Sequence, residues 1–245
     1  MKILFKKKYK GYDIFYFDEK YLEAGKKIIE KDYLIEKILK DTKRNFVSIV
    51  KILNRSYVFK EPRNEVIIPQ RKIMTLFKKG ECVTTLINLN FLRNYYGLTN
   101  FVNPYLAIVK RKHGMICYSC LIMENINGKE DRRYLDKIIM LMKNIHKLGF
   151  YHGDFNPGNF LIEKDKIRII DTQGKRMKFF KYRAHYDMLT MKMDSYKNMI
   201  YPYKKDIMYY FVLLVKKIKK LKIIEKIKSA KKNLRERGWK IWSIN

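Results

Sequence analysis

An aspartate, an asparagine and a second aspartate occur at a spacing that suits phosphoryl transfer. Asp154 closes the run His-Gly-Asp, Asn159 follows after four intervening residues, and Asp171 comes directly after a largely apolar run. In such transfers a carboxylate orients the acceptor hydroxyl and takes its proton, while an Asn and a second Asp hold Mg²⁺ against the nucleotide phosphates. The spacing therefore predicts Asp154 as the catalytic residue and Asn159 and Asp171 as metal ligands.

The segment between Asn159 and Asp171 should carry both residues to one metal ion. Residues 159–163 and 166–170 are short runs of β-forming residues around Lys164-Asp165, which predicts a hairpin. Asp and Asn beside Gly and Pro are also ordinary turn formers, so His-Gly-Asp alone would be weak evidence. The strand and the second aspartate favour a kinase-type site over a plain turn.

A lysine in the N-terminal third is placed to contact nucleotide phosphates. Residues 45–53 and 56–60 are rich in β-forming residues and flank Asn54-Arg55, which predicts a hairpin whose second strand ends at Lys60. In kinases a strand lysine contacts the α- and β-phosphates of ATP and is held by a glutamate on a helix. Without the downstream site, a solvated lysine at a strand end would be the preferred interpretation.

Glu81 is the predicted partner of Lys60, with Glu65 as the reserve. Glu81 begins a segment whose apolar residues recur at helical spacing, and Gly80 before it indicates that the helix starts or breaks there. The turn that would cover the phosphates, residues 39–45, contains no glycine. The phosphates would then be covered by the charges of Lys43 and Arg44 or by the backbone around Thr42. The alternative is that this turn is basic and solvated and does not contact phosphate.

Residues 123–128 have the composition of a linker between lobes. Two strand-like runs, 105–109 and 115–123, precede this linker and complete a small antiparallel sheet. In a kinase the linker backbone contacts the adenine edge, so Met123, Glu124 and Asn125 are predicted to bind the nucleotide. Residues 130–148 follow as an amphipathic helix that should pack beneath the catalytic loop.

Composition bounds the architecture. A chain of 245 residues that is 47% hydrophobic can bury one substantial core or two small lobes. We predict one kinase-like domain with an N-lobe of about 1–124 and a C-lobe of about 129–245. The longest hydrophobic stretch, 207–215, is too short for a membrane span, and the N-terminus turns basic too early for a signal peptide. Both features predict a cytoplasmic protein.

Two cysteines have the CxxC spacing of a metal or redox site. Cys117 and Cys120 lie in a predicted strand, where residues three apart point to opposite faces, so the pair should not converge on a metal. Cys82 stands alone. We expect buried, inert thiols.

The net charge of +31 has two possible origins: attraction to an anionic partner, or a general abundance of lysine in the composition of the chain. Residues 215–222, continued by 224–232, form a basic amphipathic pattern. A solvated lysine face and docking on a membrane surface both fit this tract. A second basic cluster, Lys175-Arg176 with Lys178, Lys181 and Arg183, follows the predicted metal ligand and should face an anionic acceptor.

Asp187, in His185-Tyr186-Asp187, resembles the aspartate that braces the catalytic loop backbone in kinases. A helix-capping aspartate is the alternative interpretation.

Several motifs, taken in chain order, resemble the lipopolysaccharide core heptose(II) kinase family. They are Lys60-Glu61-Pro62-Arg63, Gly80-Glu81, Glu124 to Gly128, His152 to Phe160, and Ile170 to Arg176. The likeness spans roughly Lys43 to Asp187, and its order is more specific than any single motif. It implies an α+β, bilobal protein-kinase-like fold with a small antiparallel β N-lobe and a mainly helical C-lobe. It also implies Mg²⁺- and ATP-dependent phosphorylation of a heptose hydroxyl in the lipopolysaccharide inner core, with core oligosaccharide or a lipid-linked precursor as partner. Gln173 replaces the aromatic residue of D-F-G, which departs from protein kinases and fits the family.

Two other functions stay open at this point. A small atypical Ser/Thr protein kinase would use the same catalytic residues, but the segment after Gly174 is short, is cationic and lacks an Ala-Pro-Glu motif. A non-enzymatic nucleic-acid-binding protein would explain the charge. Against it, no zinc finger or RNP-type box is present, and the three predicted catalytic and metal-binding residues are intact.

Overall fold

The computed structural model describes residues 3–178, 181–219 and 229, which form two compact units. The first comprises the described residues up to Lys129 together with Phe160–Gly174, and the second comprises Glu130–Asn159 together with the described residues from Lys175. In the described ranges the strands are β1 Phe5–Tyr9, β2 Tyr12–Tyr16, β3 Leu34–Asp41, β4 Asn45–Ile52, β5 Arg55–Pro62, β6 Pro104–Lys112, β7 Met115–Glu124, β8 Phe150–Tyr151, β9 Phe160–Glu163, β10 Lys166–Ile169 and β11 Lys175–Arg176. The helices are α1 Leu22–Ile29, α2 Asn64–Ile67, α3 Pro69–Met74, α4 Glu81–Tyr95, α5 Leu135–Lys147, α6 Tyr182–Thr190 and α7 Ile207–Lys219.

A seven-stranded antiparallel sheet in the order β1-β2-β6-β7-β5-β4-β3 forms the centre of the first unit. Successive side chains of β6 point to opposite faces of the sheet, and both faces are covered by a helix. Leu106 and Ile108 pack into the cluster that contains Ala24 and Ile28 of α1, whereas Ala107 and Val109 pack with α4. The central strands of the sheet are therefore buried between α1 on one face and α4 on the other.

The predicted hairpin of residues 45–60 is present with a shifted turn and a longer second strand. Leu53 and Asn54, at φ 48° and 62°, form the turn, because a two-residue turn with positive φ at both positions matches the twist of antiparallel strands. The prediction of Asn54-Arg55 as the turn was off by one residue. Strand β5 also continues past Lys60 to Pro62, since the register with β4 extends to Asn45.

Strands β1, β2 and β3 are absent from the sequence prediction. Exposed lysines occupy much of β1, and all eight residues of β3 are exposed, so neither strand shows the usual alternation of buried and exposed positions. Pairing with a neighbour, which local sequence does not reveal, holds both strands in the sheet.

Strands β9 and β10 form the predicted hairpin, with Lys164 and Asp165 at positive φ in the turn. This hairpin belongs to the first unit because Ile169 exchanges backbone hydrogen bonds with Asn100 and Val102, and Ile162 does so with Lys129. The predicted lobe boundaries themselves stay a prediction.

The described part of the second unit contains helices α5, α6 and α7. The predicted amphipathic face of α5 is confirmed, since Leu135, Ile138, Ile139, Met142 and Ile145 are buried. Helix α7 includes the first part of the basic C-terminal tract up to Lys219, and the rest of that tract, apart from Ser229, lies outside the described residues. Among the described helices, none combines the length and the apolar character needed to span a bilayer.

Candidate active site

Lys60 and Asp171 form an ion pair in the first unit. Lys60 donates from Nζ to Oδ1 of Asp171 at 2.5 Å, and its side chain is 20% exposed. Burial opposes the positive charge, but the Asp171 carboxylate outweighs it and Glu81 adds a smaller attraction, so the pKa of Lys60 is raised. The predicted phosphate-binding lysine and one predicted metal ligand are therefore adjacent, and the lysine stays charged.

Glu81 and Glu65 have different environments at the start of α4. Helix α4 begins at Glu81, as predicted, and the Glu65 carboxylate accepts a 2.8 Å hydrogen bond from the Glu81 backbone N–H. Burial raises the pKa of the Glu65 carboxyl, against the effect of this bond. Glu65 thus caps α4, while Glu81 acts on Lys60 electrostatically at longer range. A direct bond between Lys60 and Glu81 stays a prediction.

Helix α4 also fixes the segment that follows Asp171. Asn88 donates from Nδ2 to the Gln173 carbonyl at 2.9 Å. Gly174 has φ +57°, and a Cβ at this position would lie 2.7 Å from Cδ1 of Leu92. Only glycine fits both requirements, which explains the glycine in Asp171-Thr172-Gln173-Gly174.

The predicted nucleotide-binding linker is braced by Arg168. Met123 and Glu124 are the last residues of β7, and half-buried Asn125 follows them. The Glu124 carboxylate accepts hydrogen bonds from Arg168 at 2.5 Å and from the Asn103 N–H at 3.1 Å, and the Glu124 N–H itself donates to the Asn103 carbonyl at 2.9 Å. A Cβ on Gly128 would lie 3.0 Å from the Ile162 carbonyl, so glycine permits the linker to approach β9.

Arg63 holds the glycine-free turn between β3 and β4. Its guanidinium donates to Oδ1 of Asp41 at 3.0 Å and to the Thr42 carbonyl at 3.2 Å. The Thr42 hydroxyl accepts from the N–H groups of Arg44 and Asn45 at 3.3 and 3.1 Å. A basic turn held this firmly can present Lys43 and Arg44 without glycine. Sequence reasoning gave neither Arg63 nor Arg168 a structural role. Each arginine also pairs with a nearby glutamate, Glu61 or Glu163, but the partners that define its role, Asp41 and Glu124, are distant in sequence.

Asp154 and Asn159 are joined in the second unit. Asn159 is nearly buried and donates from Nδ2 to the Asp154 carbonyl at 2.8 Å and to the Asp154 carboxylate at 3.3 Å. Asp154 is exposed, and fully buried Phe155 anchors the loop beside it. The loop therefore presents a solvent-accessible carboxylate on a fixed backbone, as an acceptor hydroxyl requires.

Asp187 braces this loop, and that prediction is confirmed. Its carboxylate accepts from the His152 N–H at 2.8 Å and the Gly153 N–H at 3.1 Å, and it lies 3.3 Å from Nε2 of His146. Asp187 lies within α6, away from the N-terminus, so it is not a helix cap.

Lys175 and Arg176 lie beside the catalytic loop in the second unit. They form β11, which pairs with β8 in the register Lys175 to Tyr151 and Arg176 to Phe150, and both are exposed. Strand β8 leads directly into His152. Arg183 adds a third cation, 5.2 Å from the centre of the Tyr151 ring. An anionic acceptor would therefore meet positive charge next to Asp154.

The side chains present fit Mg²⁺ and a nucleotide. Magnesium prefers oxygen ligands, which the Asp171 carboxylate and the Asn159 amide provide. Since the Asn159 Nδ2 is committed to Asp154, Oδ1 is the atom that can face a cation. The two residues belong to different units, and their shared role as metal ligands stays a prediction. The described residues contain no group of three or more His, Cys, Asp or Glu side chains arranged for a metal.

The cysteines are free thiols in the first unit. Cys82 and Cys120 are buried, and Cys117 is half-buried on β7. Burial raises the pKa of Cys82 well above its usual range and that of Cys120 to about 12, which keeps both protonated and unreactive.

Comparisons with known proteins identify the family of this chain. A profile described as lipopolysaccharide core biosynthesis protein (WaaY) matches residues 3–230. The lipopolysaccharide core heptose(II) kinase WaaY of Escherichia coli is 27% identical over 189 residues, which is 69% of this chain and 76% of that protein.

Protein kinases are also similar to this chain. The cell cycle protein kinase DBF2 of Saccharomyces cerevisiae is 28% identical over 140 residues, covering 57% of this chain and 22% of that protein. CBL-interacting protein kinase 33 of Oryza sativa is 26% identical over 141 residues, covering 58% of this chain and 29% of that protein. These relatives and the mixed sheet-and-helix architecture confirm the predicted α+β, protein-kinase-like fold. Since the family profile covers most of the chain, this protein belongs to the WaaY family of lipopolysaccharide core biosynthesis proteins.

Proposed function

We propose that this kinase of lipopolysaccharide core biosynthesis transfers the γ-phosphoryl group of ATP to a heptose hydroxyl of the inner core. The family match over residues 3–230 carries the proposal, and the exposed Asp154 on its braced loop supports it. The protein is a phosphotransferase with an alcohol group as acceptor.

Each side chain has one task in the proposed reaction. When bound, Mg-ATP supplies the phosphoryl group and part of the neutralising charge. Asp154 orients the acceptor hydroxyl and takes its proton at the carboxylate, while Asn159 and Asp171 hold the metal. Lys60 contacts the phosphates, with Glu81 stabilising its charge. Positioning and charge neutralisation account for most of the rate enhancement, because phosphoryl transfer needs little covalent participation from the protein.

Lys175 and Arg176 are the proposed acceptor-binding residues. Two exposed cations on β11, one strand from the catalytic loop, suit the phosphates and carboxylates of an inner core. The backbone of Met123, Glu124 and Asn125 is the proposed contact for the nucleotide base.

A Ser/Thr protein kinase is the second candidate. The similarity to DBF2 and the plant kinase favours it, but this chain spans less than a third of either protein. The E. coli heptose(II) kinase is covered over 76% of its length, which favours a sugar acceptor. Nucleic-acid binding has no support from these relatives.

The acceptor lies in lipopolysaccharide core or its lipid-linked precursor, so we place the enzyme on the cytoplasmic side of the inner membrane. The basic C-terminal tract is one candidate for peripheral membrane contact. The alternative is that its lysine face is exposed only to solvent.

Parallel incubations test the acceptor directly. The protein, γ-labelled ATP and Mg²⁺ are incubated with core oligosaccharide, with mixed protein and with buffer alone. We expect label in the oligosaccharide, one added phosphate on heptose by mass spectrometry, and transfer by an Asp154→Asn variant that is slower by about two orders of magnitude or more. Label that appears only in protein would replace the sugar kinase with the second candidate.

A further inference from the structure

Exposed apolar side chains cluster at the end of α3 in the first unit. Phe77 is 83% exposed, and Ile73, Met74 and Leu76 are 54%, 46% and 46% exposed. Single exposed apolar residues are ordinary, but a contiguous group marks an interaction surface. We call Ile73, Met74, Leu76 and Phe77 the apolar knob.

The hairpin of β6 and β7 holds the knob in place. Arg111 donates to the Thr75 carbonyl at 2.7 Å and to the Lys78 carbonyl at 2.8 Å. The Ile116 N–H donates to the buried Thr75 hydroxyl at 2.9 Å. Leu76 contacts Gly114 at the hairpin turn. These contacts fix the backbone on both sides of Leu76 and Phe77, so the apolar side chains face solvent from an anchored segment.

Cations surround the knob. Arg71, Lys78 and Lys79 are exposed and flank it in sequence, and Lys112 is exposed at the adjoining hairpin turn. Residues 69–79 include no Asp or Glu. The anchored apolar tip is therefore flanked mostly by cations, and the half-buried Glu65, whose carboxylate interacts electrostatically with Arg71, is an acidic neighbour.

We propose that the apolar knob and its flanking cations dock this protein on an anionic lipid bilayer. The cations complement the negative surface of such a membrane, and exposed Phe and Leu side chains can enter the boundary between headgroups and acyl chains. The combination matters because apolar insertion and basic attraction together give stable membrane contact where one alone is weak. The choice of a membrane rests on the proposed function, which requires access to a lipid-linked acceptor.

Vesicle binding of the full-length chain tests the proposal. Vesicles of phosphatidylglycerol and phosphatidylcholine in equal parts are compared with pure phosphatidylcholine at low and high salt. We expect Phe77→Ser to weaken binding about tenfold by removing apolar burial while the salt dependence persists. We expect Lys78→Gln with Lys79→Gln to weaken binding by roughly an order of magnitude and to reduce the salt dependence.

Matched variants separate this surface from general effects. Met140→Ser removes a side chain that is 67% exposed on α5, and Lys7→Gln with Lys8→Gln removes the same charge from exposed positions of β1. Both controls should bind like the wild type. Brominated lipid should quench the tryptophan introduced by Phe77→Trp, in a chain with Trp239→Phe and Trp242→Phe, far more than one introduced by Met140→Trp.

Three results would overturn the docking surface. In the first, Phe77→Ser and the Lys78→Gln, Lys79→Gln variant both bind vesicles as tightly as the wild type. In the second, the wild type binds neutral and anionic vesicles equally. In the third, Phe77→Ser abolishes self-association of the protein without changing vesicle binding. Phosphorylation of soluble, deacylated core oligosaccharide should be unchanged in Phe77→Ser. Vesicle binding without heptose phosphorylation by the wild type would contradict the proposed function alone.

Discussion

Lys60 Nζ lies 2.5 Å from Oδ1 of Asp171, although 111 residues separate the two in sequence. One of these residues is the proposed phosphate contact and the other a proposed metal ligand. Their ion pair keeps the lysine charged and holds the carboxylate in place. Nucleotide and metal would therefore enter a site whose charges are already paired, and each would have to replace part of that pairing.

Lys60→Met should lower kcat/KM for ATP by about two orders of magnitude, because a cation beside the phosphates is lost. Glu81→Gln should have a smaller effect, and the double variant should be little worse than Lys60→Met alone if the two act as a unit. Steady-state kinetics measures all three, with Lys51→Met at an exposed position of β4 as the control. Additive losses would remove Glu81 as the partner and direct attention to Glu65.

Asp171→Ala should abolish Mg²⁺-dependent nucleotide binding, since the variant loses its carboxylate metal ligand. Titration calorimetry with Mg-ATP, repeated with ATP in EDTA, separates the metal contribution from the rest. Unchanged affinity for Mg-ATP would assign the metal to other residues.

Asp154→Asn should lower kcat by about two to four orders of magnitude, the usual effect of losing a general base, while ATP affinity stays nearly unchanged. Asp165→Asn, in the exposed turn between β9 and β10, serves as the matched control. A folded Asp154→Asn enzyme with wild-type turnover would exclude Asp154 from the mechanism.

Local sequence was sufficient to predict some parts of this site and not others. The hairpin of β9 and β10, the start of α4 at Glu81 and the role of Asp187 follow from patterns a few residues long. The roles of Arg63 and Arg168 were missed because Asp41 and Glu124, the partners that tie them to the β3–β4 turn and to the linker, lie more than twenty residues away in sequence. The Lys60–Asp171 pair was missed for the same reason. Strand β3 has no buried face, so periodicity gave no signal for it.

Asp187→Ala should destabilise the second unit by about 2 to 5 kcal/mol, because the backbone N–H groups of His152 and Gly153 lose a buried, charged acceptor. Thermal denaturation followed by circular dichroism measures this loss. Asp136→Ala, at an exposed position of α5, should leave stability nearly unchanged. Equal stabilities of the two variants would mean that the bonds from Asp187 contribute little to the loop.

Lys175→Glu together with Arg176→Glu should raise the acceptor KM far more than the ATP KM. Both side chains are exposed on β11, paired with the strand that leads into His152, so reversing their charge repels an anionic acceptor next to Asp154. Lys164→Glu with Lys166→Glu changes the net charge equally at the β9–β10 turn and should leave the acceptor KM close to that of the wild type. High salt should narrow the difference between the two double variants, since screening weakens attraction between exposed charges. An equal rise in both KM values for Lys175→Glu with Arg176→Glu would show that these cations serve the nucleotide or the fold instead of the acceptor.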